Sequence, residues 1–174
     1  RYLYIPEGVQ LVNGRVTVPL SVLTEAFDAS LTWNAATGVV AVTRGSGALP
    51  PADQYYNQDD LFWLCRIIYA ESGNQPLEGM MAVGNVVLNR VNDPIYPNTI
   101  VGVLAQKNQF TTYQSGKLAY RTPNENSVIA AKLVLDGGVV EETKGATHFD
   151  SCSNSWAARH KTCVAVIGGH RFYA

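Results

Sequence analysis

The stretch IIYAESGNQPLEGMMAVGNVVLNRV, residues 67–91, decides the fold of most of the chain, because two helical patterns meet in it around a single break, Gly73-Asn74-Gln75-Pro76. On the first, Leu61, Leu64, Cys65 and Ile68 recur at helical spacing and predict a helix ending near Ser72, with Asp59 or Asp60 as its cap. Glu71 falls three residues after Ile68 and seven after Leu64, so its carboxylate belongs to the apolar face of that helix. The second pattern, residues 76–92, places Leu77, Met80, Met81, Gly84, Val87, Leu88 and Val91 on one side and Ala82, Val83 and Val86 on the other. Only Glu78, Asn85, Asn89 and Asn92 form a polar stripe, and a helix apolar nearly all round reads as a central, buried one.

Outward from this pair, Pro123-Asn124 opens and Gly137-Gly138 closes a third helix over 124–136. The tail, GATHFDSCSNSWAARHKTCVAVIGGHRFYA, reads as irregular with some strand. Toward the start, RYLYIPEGVQLVNGRVTVPL alternates around Asn13-Gly14, a hairpin turn; SVLTEAF reads as a short helix, and SLTWNAATGVVAVTR as a second hairpin through AATG. The expected class is therefore α+β, with a small ββαββ unit over 1–45, a Gly- and Pro-containing linker over 46–57, and a mostly helical domain with short β elements over 58–174.

Composition bounds the partners. A net charge of −1 with 16% charged residues offers no basic field for a phosphate backbone, which argues against nucleic acid. No apolar run approaches the roughly 18 residues of a spanning helix, so no membrane partner is expected; no signal peptide opens the chain, and trimming would have removed one. Of three cysteines, Cys65 reads as a small buried hydrophobe, whereas Cys152 and Cys163 could close a short loop as a disulfide or stand free.

The chemistry gathers at Glu71. A carboxyl group on an apolar face is costly in its charged form, so its pKa rises and it can donate a proton near neutral pH and then act as a base. That is the profile of a glycoside-cleaving acid. The plainer alternative is a helix-terminal glutamate paired with Arg66 or Arg90.

Three segments, YAESGNQPLEGMMAVGNVVLNRV, PNTIVGVLAQKNQFTTYQSG and the closing IGGHRFY, carry a resemblance to the SleB family of cell wall hydrolases, the spore cortex-lytic enzymes, over about 115 residues in one order and spacing. The resemblance implies a lysozyme-like fold related to lytic transglycosylases, peptidoglycan glycan strands as partner, and the glutamate of the YAE element, here Glu71, as the essential residue. It implies cleavage between N-acetylmuramic acid and N-acetylglucosamine, leaving 1,6-anhydromuramic acid ends, with no cofactor and no metal. A monomer acting outside the cell, at the wall or spore cortex, is expected, with other cell-wall or spore-coat proteins as further candidate partners. Two departures stand out: Asn74-Gln75 replaces the Gly-Glu frequent in members, and HFDSCSNSW replaces an aromatic pair followed by Asn-Pro. The front segment resembles the copper amine oxidase N-terminal-like domain, implying wall attachment or spacing; residues 1–45 hold no His or Cys cluster for copper.

Further substrate-binding candidates are Gln109, Phe110 and Thr111 of the QFT element, whose alternative is a hairpin with a buried Phe, and the aromatic residues Tyr113, Tyr120, Phe149 and Trp156, each of which could instead be core or rim. Asn85 and Asn89 read as hydrogen-bonding supports, His148 and His170 as structural. Rival readings are a zinc-dependent wall peptidase drawing on His148, Asp150, Cys152, His160, Cys163 and His170, a thiol amidase using Cys65, and a peptidoglycan-binding module without catalysis.

Overall fold

The structure, a computed structural model, describes residues 2–46 and 52–174, so residues 47–51 of the expected linker lie outside the described residues. The chain divides into two compact units, Leu3–Tyr55 and Tyr56–Ala174.

In the first unit, strands β1 (Gln10–Val12) and β2 (Arg15–Thr17) pair antiparallel across Asn13 and Gly14, both in the left-handed region that a two-residue hairpin turn demands. Helix α1 (Leu20–Ala26) follows, then strands β3 (Ala29–Asn34) and β4 (Val39–Arg44), whose turn is held by Asn34 Oδ1 accepting from the amides of Ala36 and Thr37. The hairpins remain two separate two-stranded sheets. Among residues 2–46 only Thr24 is buried. Residues 52–55, read as linker, form a helical turn, α2 (Ala52–Tyr55).

The second unit is built on three helices: α3 (Gln58–Ser72), α4 (Leu77–Asn92) and α7 (Glu125–Leu135). Leu64, Ile67 and Ile68 of α3, Met81, Val83, Val86 and Val87 of α4, and Ala130 and Ala131 of α7 are fully buried. Gly84 sits where they cross: a Cβ there would lie 3.0 Å from Ile68 Cδ1 and 3.3 Å from Val134 Cγ2, so the absent side chain lets α4 approach both neighbours. Neither Asp59 nor Asp60 caps α3. Asn57 does, its Oδ1 accepting from both their amides, which leaves the two carboxylates in the first turn where the helix dipole favours them. Asn124 caps α7 as expected.

Short helices α5 (Ile100–Leu104) and α6 (Thr111–Gln114) occupy a segment for which the sequence offered no helical period long enough to read. The tail is more ordered than expected. Strands β5 (His148–Asp150), β6 (Cys163–Ile167) and β7 (His170–Tyr173) form an antiparallel sheet in the order β5-β7-β6, with helix α8 (Trp156–His160) between β5 and β6. Two side chains of α4 fasten this sheet: Asn89 Nδ2 donates to Ala146 O (2.8 Å) and Arg90 Nε to Thr147 O (2.7 Å), just ahead of β5. Cys152 and Cys163 are exposed free thiols, so no disulfide closes the tail, and Cys65 is buried as read. No described helix is long and apolar enough to cross a membrane.

Candidate active site

Glu71 lies in the last turn of α3, half-buried. Among the described residues no ion pair joins it to Arg66 or Arg90. Arg66 turns back on its own helix, Nη1 donating to Phe62 O (3.1 Å) with the guanidinium 3.6 Å over the Phe62 ring. Burial pushes the Glu71 carboxyl above the usual glutamate range; the Thr112 hydroxyl, donating to Oε1 at 3.4 Å, and the positive charge of Arg121 pull it back only in part.

Glu71 lines two concavities. One is an open cleft of about 470 Å³ lined by Tyr69, Ala70, Gly73, Asn74, Arg121 and Asn124 as well as Glu71. The other is a recess of about 120 Å³, which Glu71 shares with Arg90, Gln109, Phe110, His148 and Phe149. The cleft falls within the size range of small-molecule sites, roughly 300–1,000 Å³, and the recess well below it. Among the described residues Glu71 is the sole carboxyl group lining either. Asp150, at the end of β5, is engaged in its own turn, where it accepts from the Cys152 amide (3.0 Å), the Ser155 hydroxyl and the Tyr173 hydroxyl (3.5 Å).

Of the residues singled out from the sequence, Gln109, Phe110 and Phe149 join Glu71 at the recess. Phe110 is 3% exposed, so its ring is floor and not a stacking platform. Thr111 is exposed at the start of α6; the next residue, Thr112, is the one that reaches the carboxylate. Tyr113 lies edge-on to Trp63, centroids 5.2 Å apart. Trp156 stacks on His160 at 4.9 Å and lies 5.6 Å from the His148 ring, at the rim of the recess. Tyr120, 90% exposed, lines neither concavity.

Sequence reasoning named Arg90 only as a possible partner for Glu71 and passed over Thr112, Arg121 and the place of His148. Burial, with the charges of Arg90 and Lys161, lowers the His148 pKa to about 4, so the imidazole facing the recess is neutral at neutral pH. Its Nδ1 lies 3.0 Å from the Thr147 hydroxyl, which also accepts from Lys161 Nζ (3.3 Å). The six zinc-ligand candidates of the tail do not converge: among the described residues no three His, Cys, Asp or Glu side chains come together to hold a metal. Cys65 is 4% exposed with its thiol pKa raised by burial, the opposite of an activated nucleophile.

Residues 74–173 match the family described as Cell Wall Hydrolase. Over 121 residues the chain is 41% identical to a spore cortex-lytic enzyme of Bacillus cereus, and over 118 residues 36% identical to the spore cortex-lytic enzyme of Bacillus subtilis. Each alignment takes in 67% of this chain but only 45% and 38% of those proteins, so the chain spans less than half the length of the relatives it matches. Among solved structures, the catalytic domain of the germination-specific lytic transglycosylase SleB from Bacillus anthracis superposes with a TM-score of 0.61 at 30% identity, over 72% of this chain and all of that one. The catalytic domain of the Bacillus cereus SleB protein gives the same TM-score and identity over 75% of this chain and all of its own.

Proposed function

This chain belongs to the cell wall hydrolase family, and from that premise we propose that it cleaves peptidoglycan glycan strands between N-acetylmuramic acid and N-acetylglucosamine as a lytic transglycosylase, with Glu71 as its acid and base. The observation that carries the reading is the lone carboxyl group: Glu71, its pKa raised by burial, is the only acid lining the cleft and the recess that flank it. A retaining or inverting glycosidase needs a second carboxyl group about 5–10 Å away. A transglycosylase needs one.

In this scheme the glycan lies along the cleft. Protonated Glu71 gives its proton to the glycosidic oxygen as the bond to the muramoyl anomeric carbon breaks. The resulting carboxylate, held by the Thr112 hydroxyl and facing the charge of Arg121, then takes the proton of the muramoyl 6-hydroxyl, whose oxygen closes on the anomeric carbon as the 1,6-anhydro ring. Glu71 ends protonated, ready for another cycle. The site of action is the cell wall or spore cortex, as the names of the cortex-lytic relatives suggest. Residues 1–45 we assign to a separate wall-attaching or spacing domain; its two hairpins about a helix are compatible with the copper amine oxidase N-terminal-like pattern.

The test is mass spectrometry of muropeptides released from purified peptidoglycan by the protein and by Glu71→Gln. Anhydromuramoyl ends are expected, with the variant slower by about 10²- to 10⁴-fold, the usual worth of a general acid–base group. Reducing ends would point instead to hydrolysis through a second carboxyl group, and undiminished cleavage by the variant would remove Glu71 from the mechanism.

A further inference from the structure

Arg90 is a cation 3% exposed, and among the described residues no acidic side chain forms an ion pair with it. Its Nε is spent on Thr147 O, and the guanidinium lies 5.3 Å from the Tyr96 ring centroid and 5.6 Å from that of Phe110, contacts that hold it in place without neutralising it. Its Nη1 is buried with no hydrogen-bond acceptor among the described residues. A buried guanidinium nitrogen left this way is costly unless an oxygen completes it. Arg90 lines the recess beside Glu71, together with Gln109 and His148, so the recess is the open space next to the unpaired guanidinium.

We infer that this recess is a subsite for the lactyl arm of the muramic acid residue, whose acyl oxygen accepts from Arg90 Nη1. The inference rests on the reading of Glu71 as the acid that attacks the muramoyl bond. The recess is too small for a sugar ring, so a side arm enters it while the ring stays in the cleft. The lactyl ether is what sets muramic acid apart from glucosamine, and its acyl oxygens are the acceptors that only one of the two sugars can offer. With His148 neutral, Arg90 is the only full positive charge among the lining residues, and Gln109 adds a second possible donor. An occupant here would fix which of the two alternating glycosidic bonds lies against Glu71. The acyl oxygen can come from a free carboxylate, where the stem peptide has been removed, or from an amide carbonyl, where it is still attached.

The experiment uses the whole chain and needs no turnover. Binding of N-acetylmuramic acid, its lactyl N-methylamide and N-acetylglucosamine is compared by titration while side-chain ¹⁵N signals of Arg90 and Gln109 are followed. At least one lactyl sugar should bind about tenfold or more tighter than N-acetylglucosamine, as a charge-assisted hydrogen bond implies, and should move the Arg90 resonance. The acid winning marks stem-free muramic acid as the source, the amide winning marks stem-bearing residues, and either supports the subsite. Equal binding of all three sugars, or discrimination that leaves the Arg90 signal still, overturns it. Since the probes are not cleaved, this outcome is independent of whether Glu71→Gln abolishes cleavage. Arg90→Lys keeps the charge while shortening the reach, and is expected to lose the discrimination; if it fails to fold, the native comparison still decides.

Discussion

At the scale of single residues, Glu71 presents an opposition that the proposed function requires: a group costly to ionise where it stands, beside two groups that lower that cost. Because its folded pKa lies above the value in an unfolded chain, the folded state binds more protons across the window between the two, and stability falls as pH rises through it. Glu71→Gln removes that titration. The variant should therefore match the parent in thermal unfolding at pH 4 and below, and unfold at a higher temperature at pH 7 and above. A parent more stable than the variant at pH 7 would mean that the ionised carboxylate is well satisfied, and the raised pKa would be gone. The half-buried placement of Glu71 could be read from residues 64–71 because helical periodicity fixes the face on which a side chain lies. Arg90 could not. Its meaning depends on a carbonyl 57 residues away, and nothing local in LNRV says that its Nη1 will find no acceptor. Thr112 was missed by one residue, since the turn of α6 that selects it over Thr111 leaves no period in four residues.

At the scale of elements, the long helices were legible and the supports between them were legible only as residue types. Asn85 and Asn89 read as hydrogen-bonding groups on an otherwise apolar helix, and the structure shows what each one holds. Asn85 is 4% exposed and makes two bonds, Nδ2 donating to Gly138 O (2.8 Å) and Oδ1 accepting from Val140 N (3.0 Å), so it clamps the chain leaving α7 to the middle of α4. Asn89, half-buried, makes a single bond to Ala146 O. Asn85→Ala strands a buried amide and a carbonyl together and should lower stability by about 2–4 kcal/mol, whereas Asn89→Ala should cost about 1 kcal/mol. Urea unfolding with an unchanged slope checks the comparison. Equal losses would show that solvent reaches the Asn85 site. The tail sheet was read only as irregular with some strand because its strands are three to five residues long and its outer members, β5 half-buried and β6 mostly exposed, carry no fully buried residue; the central strand β7, with a partner on either side, is what gives them order.

At the scale of the whole molecule, the question is where the second unit, to which we assign the cleavage, begins. The helical pattern alone sets its start at residue 58, the first residue of α3, but two side chains just ahead belong to the same unit. Tyr56, 6% exposed, donates its hydroxyl to Asp136 Oδ2 at 2.6 Å, tying the entry of α3 to the end of α7, and Asn57 supplies the α3 cap. Sequence reasoning could not find the first of these, since the two partners are 80 residues apart and neither belongs to a motif. Residues 2–46, by contrast, bury almost nothing of their own, and two-stranded hairpins of this kind are marginal in isolation. A fragment of residues 56–174 should therefore unfold at the same denaturant concentration as the second unit within the full chain, and cleave soluble glycan strands at the same rate. A fragment of residues 58–174 should be less stable by about 2–3 kcal/mol, the sum of a lost cap and a lost partly buried hydrogen bond to a carboxylate. Coincident transitions for the two fragments would place the boundary at residue 58 and reduce the Tyr56–Asp136 contact to a bystander. A loss already present in the 56–174 fragment would mean that the first unit contributes to the stability of the second, and that the catalytic unit extends beyond the core that its helices enclose.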